Sequence, residues 1–406
     1  MNHALEHSET MKIGIDISTW HNGRGFGRFT REIVAALLRQ GASHEFVLFG
    51  DSATTAASDF EGVREVLVKT NNKVTESAIS DDSRSLLDVF SFSKEVYKAK
   101  LDVMYYPAVY SWFPAPPGLP VILTVHDAIA EHYPELVFPR WRNRIMWGLK
   151  MRLALMQADR LITVSEAARR EIHEHLGVSL NLIDLATEGP NTIFTPPVDS
   201  AQRELERTRV ASAFDLKPGA SLLAYVGGFA PHKNLHGLLR AFERLASDET
   251  FSTVRLLMVG DYGGHGFHSN FADLKAYVDG SALLAERVLF TGFVEDDLLA
   301  AIYRASVAVV FPSFSEGFGL PAVEAMACGT PVLASNRASL PEVVGDAGIL
   351  FDPNDIESIR FAMASVLDSE VTLVELRKKA ELQASKFTWE AAAAGVMGSI
   401  ERCLTH

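Results

Sequence analysis

FPSFSEGFGLPAVEAMACGTPVLAS, residues 311–335, follows the apolar run SVAVVF and places a strand, a glycine-rich turn and a helix in immediate succession. Residues 306–311 read as a buried strand, and residues 320–328 carry apolar side chains at the spacing of a helix packed on it. The turn between them holds Glu316, Gly317, Phe318, Gly319 and Leu320, and the helix carries a second acid, Glu324. A helix N-terminus presents unsatisfied N–H groups and the positive end of a dipole, and Gly317 and Gly319 let the main chain approach an anion closely. Phosphate fits such a junction. The two carboxylates do not bind phosphate themselves, so they are suited to accept hydrogen bonds from hydroxyls on either side of a diphosphate. A nucleotide sugar has both, one set on the sugar and one on the ribose. The plainer alternative is a loop acid followed by a Glu on the outer face of an ordinary helix.

Outward from this stretch the same alternation repeats. KIGIDIS (12–18) is a first strand, TWHNGRGFG a glycine loop and RFTREIVAALLRQ a helix ending at Gly41. EFVLFG, REVLVK, DVMYY, VILTV, RLITV and LIDLA follow as apolar, β-branched runs, with helices over residues 142–157 and 166–176. Strands alternating with helices imply a parallel sheet covered on both faces. PNTIFTPP, residues 190–197, interrupts the pattern as a hinge, and a second series begins at Leu222 with SLLAYV, VRLLMV, RVLFTG, VAVVF, PVLAS and GILF. The expected fold class is therefore α/β with two Rossmann-like domains: residues 11–197, residues 198–388, and a last helix from 389 to 406. Residues 1–10, MNHALEHSET, are read as a leader outside the fold.

The chain has 406 residues, of which 48% are hydrophobic and 9% aromatic, enough for two cores. A net charge of −13 argues against nucleic acid as a partner, because phosphate-backbone binding draws on clustered Lys and Arg. Cys328 and Cys403 have no metal-ligand spacing and make no disulfide framework. With no basic start followed by an apolar core, and no apolar run long enough for a membrane span, a cytoplasmic location is expected, at the inner face of the membrane if lipid is involved.

The 311–335 segment resembles the signature of retaining GT-B glycosyltransferases of family four: Glu316, the spacer GFGLPAV, then Glu324. The likeness extends through ADRLITVSEAARREI, AYVGGFAPHKNLHGLLRAF, LLMVGDYGG, RVLFTGFV, ASLPEVVGDAGILFDP and FTWEAAA, so it covers most of the chain. It implies a GT-B fold, two domains facing each other across a cleft, with the last helix crossing back to the first domain. It implies that Glu316 contacts the donor sugar, that Glu324 contacts the ribose, and that the amides of Gly317, Phe318, Gly319 and Leu320 hold the diphosphate. A nucleoside-diphosphate sugar is then the donor and a saccharide or lipid-linked molecule the acceptor, with no metal and no other cofactor. The HKN and GFGRFTREI variants resemble a subgroup rich in mannosyltransferases, which favours GDP-mannose.

Other positions enter through the same resemblance. Lys233, at the start of a helix over residues 234–245, is the cation expected to stabilise the leaving diphosphate. Many family members carry an Arg where this chain has Gly228, and His232 and Arg28 are candidates to replace it. His126 follows the strand VILTV and is assigned to the active site beside the donor sugar, with Asp127 as a local hydrogen-bond partner. Gly25 and Gly27 are expected to let the N-terminal loop approach the donor or acceptor, whereas Gly23 reads as a turn. Acceptor choice is expected to lie in residues 106–120 and 71–85.

Three readings compete with this one. The spacing GxGxG at Gly23, Gly25 and Gly27, with Asp51 after the second strand, loosely matches a dinucleotide site and suggests an NAD-dependent oxidoreductase, although the glutamate pair has no role there. The absent Arg suggests a sugar-nucleotide-binding protein with little turnover. Finally, PRWRNRIMWGLKMRLALM (139–156) joins Arg140, Arg142, Arg144, Lys150 and Arg152 with Trp141 and Trp147. That composition suits either peripheral contact with an anionic membrane or a helix with a solvated basic rim packed on the sheet.

Overall fold

A computed structural model of the chain describes residues 10–23, 25–51, 60, 63–70, 86–138, 140–217, 219–262 and 269–405. Residues 1–9 of the leader and the expected acceptor loop at residues 71–85 lie outside the described residues. The strands expected from apolar, β-branched runs all form. β1 (Lys12–Asp16), β2 (Glu45–Asp51), β3 (Arg64–Val68), β4 (Val103–Tyr106), β5 (Val121–Thr124), β6 (Arg160–Thr163) and β7 (Ile183–Leu185) make one sheet in the order β3-β2-β1-β4-β5-β6-β7. β8 (Ser221–Val226), β9 (Val254–Val259), β10 (Val288–Gly292), β11 (Ala308–Phe311), β12 (Val332–Ser335) and β13 (Gly348–Phe351) make the other, β10-β9-β8-β11-β12-β13.

Neighbouring strands pair in parallel in both sheets. Parallel strands need helical crossovers that cover both faces, which is why β1, β4, β5, β6, β8, β9, β11 and β12 are buried along nearly their whole length. The direction of strand progression reverses between β1 and β4 and again between β8 and β11. Such switch points leave a crevice at the carboxyl ends of the strands, where ligands bind in open α/β sheets.

The helices that matter for the site are α1 (Gly25–Gln40), α2 (Trp141–Gln157), α3 (Glu166–Leu176), α4 (Leu235–Ala246), α5 (Asp296–Ala305), α6 (Leu320–Ala327) and α7 (Trp389–Leu404). α1 starts three residues earlier than the sequence suggests, so Gly25 and Gly27 sit in its first turn and not in a loop. Gly27 is required for a local reason: a Cβ there would lie 2.1 Å from the Asn22 carbonyl oxygen. At Gly25 a Cβ would meet nothing within 4 Å.

α7 returns to the first domain. Its Trp389 ring meets Phe29 of α1 edge-on at 5.7 Å, Gln40 Nε2 donates to the Glu390 carbonyl at 2.9 Å, and Ser399 Oγ donates to Asp184 Oδ2 at 2.7 Å. Gly395 lies so close to β7 that a Cβ would be 2.4 Å from the Leu185 oxygen. The last helix of the chain is thus packed on the first domain, against α1 and β7.

Candidate active site

The carboxyl end of β11 leads through residues 312–319 into α6, and this turn is held from several directions. Asn234, in left-handed geometry with φ 54°, caps α4 and donates through Nδ2 to the carbonyls of Pro312 (3.1 Å) and Pro353 (2.8 Å). The Phe314 amide donates to the His232 carbonyl at 2.8 Å. Ser339 Oγ donates to the carbonyls of Glu316 and Phe318 at 2.9 and 2.8 Å. Gly319 precedes the helix at φ 100°, a region costly for any residue with a Cβ. Carbonyls are therefore drawn away, and the amides of Gly317, Phe318, Gly319 and Leu320 donate to no group among the described residues. At a helix N-terminus such amides form a ready anion site.

Glu316 and Lys233 come together directly. Lys233 Nζ lies 2.6 Å from Glu316 Oε2, and Ser313 Oγ donates to Glu316 Oε1 at 2.6 Å. Burial alone would push this carboxyl up, yet Lys233 and Ser313 hold it below the usual carboxylate range. It is therefore a charged acid that is almost fully buried. Lys233 belongs to the tight turn Pro231–Lys233 just before α4, on the β8 side of the switch point.

Glu324, on α6, faces the other domain. Arg28 of α1 bonds to it and to Asp296 at the start of α5, and the Tyr303 hydroxyl donates to Glu324 Oε2 at 3.1 Å. Burial drives the Glu324 carboxyl up to about 7 even with Arg28 and Tyr303 bonded to it. Arg28 pays for its burial with two carboxylates, and its pKa is raised. A guanidinium from the first domain thus reaches across the cleft to the second glutamate.

His126 stands after β5 with both ring nitrogens buried and without a hydrogen-bond partner, the Phe29 ring edge-on at 4.7 Å. Burial lowers its pKa to about 4, so the ring is neutral. Asp127 accepts from the Ile129 amide at 3.0 Å and not from His126, and burial raises its pKa. The domains touch here: Ser165 Oγ, which caps α3, donates to the Gly317 carbonyl at 2.6 Å, and a Cβ on Gly317 would lie 2.8 Å from the His126 carbonyl oxygen. Gly317 is what lets the motif loop approach the first domain.

Two expectations about the absent arginine need correction. Burial and the adjacent Lys233 lower His232 to about 4, so it is neutral and supplies no cation. Arg28 does reach the site, but between two carboxylates. At Gly228 a Cβ would meet nothing within 4 Å, and the Gly228 carbonyl accepts from Tyr225 Oη at 2.5 Å. Among the described residues, no group of three or more His, Cys, Asp or Glu side chains is arranged to hold a metal ion.

Sequence reasoning missed Ser313, Ser165, Asp296, Tyr303 and Glu188. Glu188 lies three residues past β7 and is buried; burial, with Glu324 nearby, pushes its carboxyl up to about 8. No sequence signal marks it, because its neighbours come from distant parts of the chain. Ser313 was within reach of reasoning: three residues before Glu316, its hydroxyl is placed to pair with that acid.

Comparison with known proteins identifies the family and the fold. The profile described as "Glycosyl transferases group 1" matches residues 207–387 and that described as "Glycosyltransferase Family 4" matches residues 23–186. The chain is 32% identical to O-antigen chain mannosyltransferase B of Escherichia coli over 66% of its own length and 67% of that protein. It is 31% identical to D-inositol 3-phosphate glycosyltransferase of Rhodococcus opacus over 70% of its own length, a match spanning only 62% of that relative. Among solved structures, sucrose-phosphate synthase from Thermosynechococcus elongatus superposes with a TM-score of 0.74 at 20% identity, covering 97% of this chain and 99% of the other, and so shares the fold.

Proposed function

Because the chain belongs to the group 1 glycosyltransferases of family four, we propose that it moves a hexose from a nucleoside-diphosphate sugar to a hydroxyl acceptor with retention of configuration. The observation that carries this reading is the pairing of unused amides at the Gly317–Leu320 turn with a cation, Lys233, and a charged acid, Glu316, at the same strand ends. The diphosphate accepts from the turn amides and from Lys233, whose ammonium stabilises the charge that grows on the leaving oxygen. Glu316, freed from Lys233, accepts from sugar hydroxyls, and Glu324 accepts from the ribose. His126, neutral and unpartnered, donates to or accepts from the sugar on the first-domain side. The acceptor hydroxyl approaches the anomeric carbon on the face of the departing diphosphate, and its proton passes to the leaving oxygen.

The same reading divides the labour between the domains: residues 198–388 hold the donor, residues 11–197 the acceptor, and Gly25 and Gly27 belong to the wall facing the donor. The similarity to an O-antigen mannosyltransferase favours mannose, carried as GDP-mannose, with a saccharide or lipid-linked acceptor. Family membership leaves the oxidoreductase alternative without support.

Calorimetry with GDP, UDP and ADP tests the donor site. One diphosphate is expected to bind selectively and to be weakened by both Glu324→Ala and Lys233→Ala. Binding that neither change weakens overturns the assignment. Product anomeric configuration, read by NMR, tests the mechanism, and inversion would sink it.

A further inference from the structure

α2 is apolar on two opposite faces. Met151 and Ala154 are buried against the first domain, with Trp147 half-buried beside them, and these positions define its inner side. At about 100° per residue, Trp141, Ile145, Leu149, Leu153 and Met156 fall within an arc of roughly 120° on the opposite side. They are 69, 58, 53, 45 and 75% exposed, and Met146, at 55%, extends the stripe. A helix whose outer side is fully solvated carries polar residues there. This one places large apolar side chains in water, and a contiguous patch of that kind marks an interaction surface.

Its charge says what covers it. Residues 140–152 hold Arg140, Arg142, Arg144, Lys150 and Arg152 and no acid, in a chain of net charge −13. Arg142, Arg144 and Arg152 are exposed, Arg142 and Arg152 on the apolar arc itself, with the Arg142 guanidinium 5.7 Å from the Trp141 ring centre. A second copy of the chain would set cations against the same cations, since a two-fold interface matches a patch with itself. Apolar side chains interleaved with cations on one helical stripe are suited to lie in the headgroup layer of an anionic bilayer. On its inner side the same helix leads toward the site: the Trp147 ring packs on Tyr110 at 5.3 Å, Tyr110 packs on Phe26 at 4.7 Å, and Phe26 is two residues from Arg28.

We propose that the outer face of α2 is a docking surface for an anionic lipid bilayer, with Trp141, Leu149 and Met156 entering the interface and Arg142, Arg144 and Arg152 engaging lipid headgroups. The inference does not depend on the transfer reaction, because binding is read on vesicles without substrate. The full chain is floated with phosphatidylcholine vesicles, with or without phosphatidylglycerol, at low and physiological salt. It is expected to float only with the anionic vesicles and to be released by salt. The triple change Arg142→Gln, Arg144→Gln, Arg152→Gln should weaken partitioning about a hundredfold, at about fivefold per cation. A second triple change, Trp141→Ser, Leu149→Ser, Met156→Ser, should abolish the anionic-vesicle binding, and Trp141→Phe should remove a lipid-induced blue shift in tryptophan emission. All these residues are exposed, so circular dichroism and diphosphate binding should stay as in the parent chain. Failure to float at low salt, or flotation that neither triple change reduces, overturns the proposal. So does sedimentation showing a dimer that the apolar changes convert to monomer, which would make the face a self-interface.

Discussion

The two halves of the cleft are built differently. At the carboxyl ends of β8 and β11, the second domain satisfies its own charges: Lys233, Glu316 and Ser313 form one bonded group, and Asn234 and Ser339 fix the turns around it. The first domain brings groups whose partners are elsewhere. Arg28 is bonded to Glu324 and Asp296 across the cleft, Ser165 reaches the Gly317 carbonyl, and His126 keeps two buried nitrogens without partners. One wall is preformed and the other is completed by contact with it or with ligand. A preformed wall is suited to a phosphate whose charge must be met without reorganisation. A wall completed by contact is suited to closing and opening around substrates.

Breaking the preformed wall should cost most. Lys233→Ala removes the cation assigned to the leaving group and leaves the Glu316 carboxyl buried with only Ser313. Turnover should fall roughly 10²- to 10³-fold, the usual cost of removing one stabilising group from a developing anion. Steady-state kinetics with varied donor checks this, and a rise in KM at unchanged kcat would assign Lys233 to ground-state binding alone.

Contacts between the walls come next. Gly317→Ala puts a methyl group 2.8 Å from the His126 carbonyl oxygen, so the domains can no longer meet there. The expected cost is about 1–3 kcal/mol on the closed state, a drop in kcat/KM with little change in Tm. Ser165→Ala should act the same way more weakly, but it also lowers Tm, because Ser165 caps α3 and a lost cap costs about 1 kcal/mol.

The Arg28–Glu324 contact gives a prediction in pH. Burial raises the Glu324 carboxyl to about 7 in the folded chain, from an unfolded value near 4.5. The folded state then binds more protons than the unfolded one between those values, so this group's contribution to stability falls as pH rises from about 4.5 to about 7. Its carboxylate is the form that accepts from ribose, so diphosphate–nucleoside affinity should rise as pH passes upward through about 7. Glu324→Gln should flatten both profiles. A parent affinity independent of pH in that range would separate Glu324 from the ribose.

The contrast between the walls also explains what the sequence made legible. Every strand was readable, because parallel strands covered on both faces are short apolar runs bounded by turns. Glu316, Gly317, Gly319, Lys233 and Glu324 were readable because they fall in contiguous segments whose chemistry is local. Arg28 was only a candidate, and Tyr303, Asp296, Ser165 and Glu188 were invisible, because their roles arise where distant segments meet. The helix start was misread at Gly25, since two glycines in three residues look like a loop until Asn22 packs against Gly27. The outer stripe of α2 was legible as composition and not as exposure, because a helix apolar on two opposite faces gives no sign of which face is inward.

Gly228 offers the mildest change and sharpens the comparison most. Among its described residues the preformed wall sets one cation, Lys233, against Glu316 where the family resemblance implies two, and the neutral His232 does not supply the other. A side chain at 228 meets nothing within 4 Å at its Cβ, and the position has no left-handed backbone to strain. Gly228→Arg should therefore leave stability within about 0.5 kcal/mol of the parent. Two residues past β8, which pairs with β11, the added guanidinium should tighten diphosphate binding by roughly tenfold, as a charge-assisted hydrogen bond of about 1.5 kcal/mol would. Calorimetry at two salt concentrations checks this, because the gain should shrink as salt screens it. If affinity is unchanged while the fold is intact, Lys233 and the helix amides already satisfy the diphosphate. The second cation is then redundant in this chain, and Arg28 is free to serve the contact between the domains.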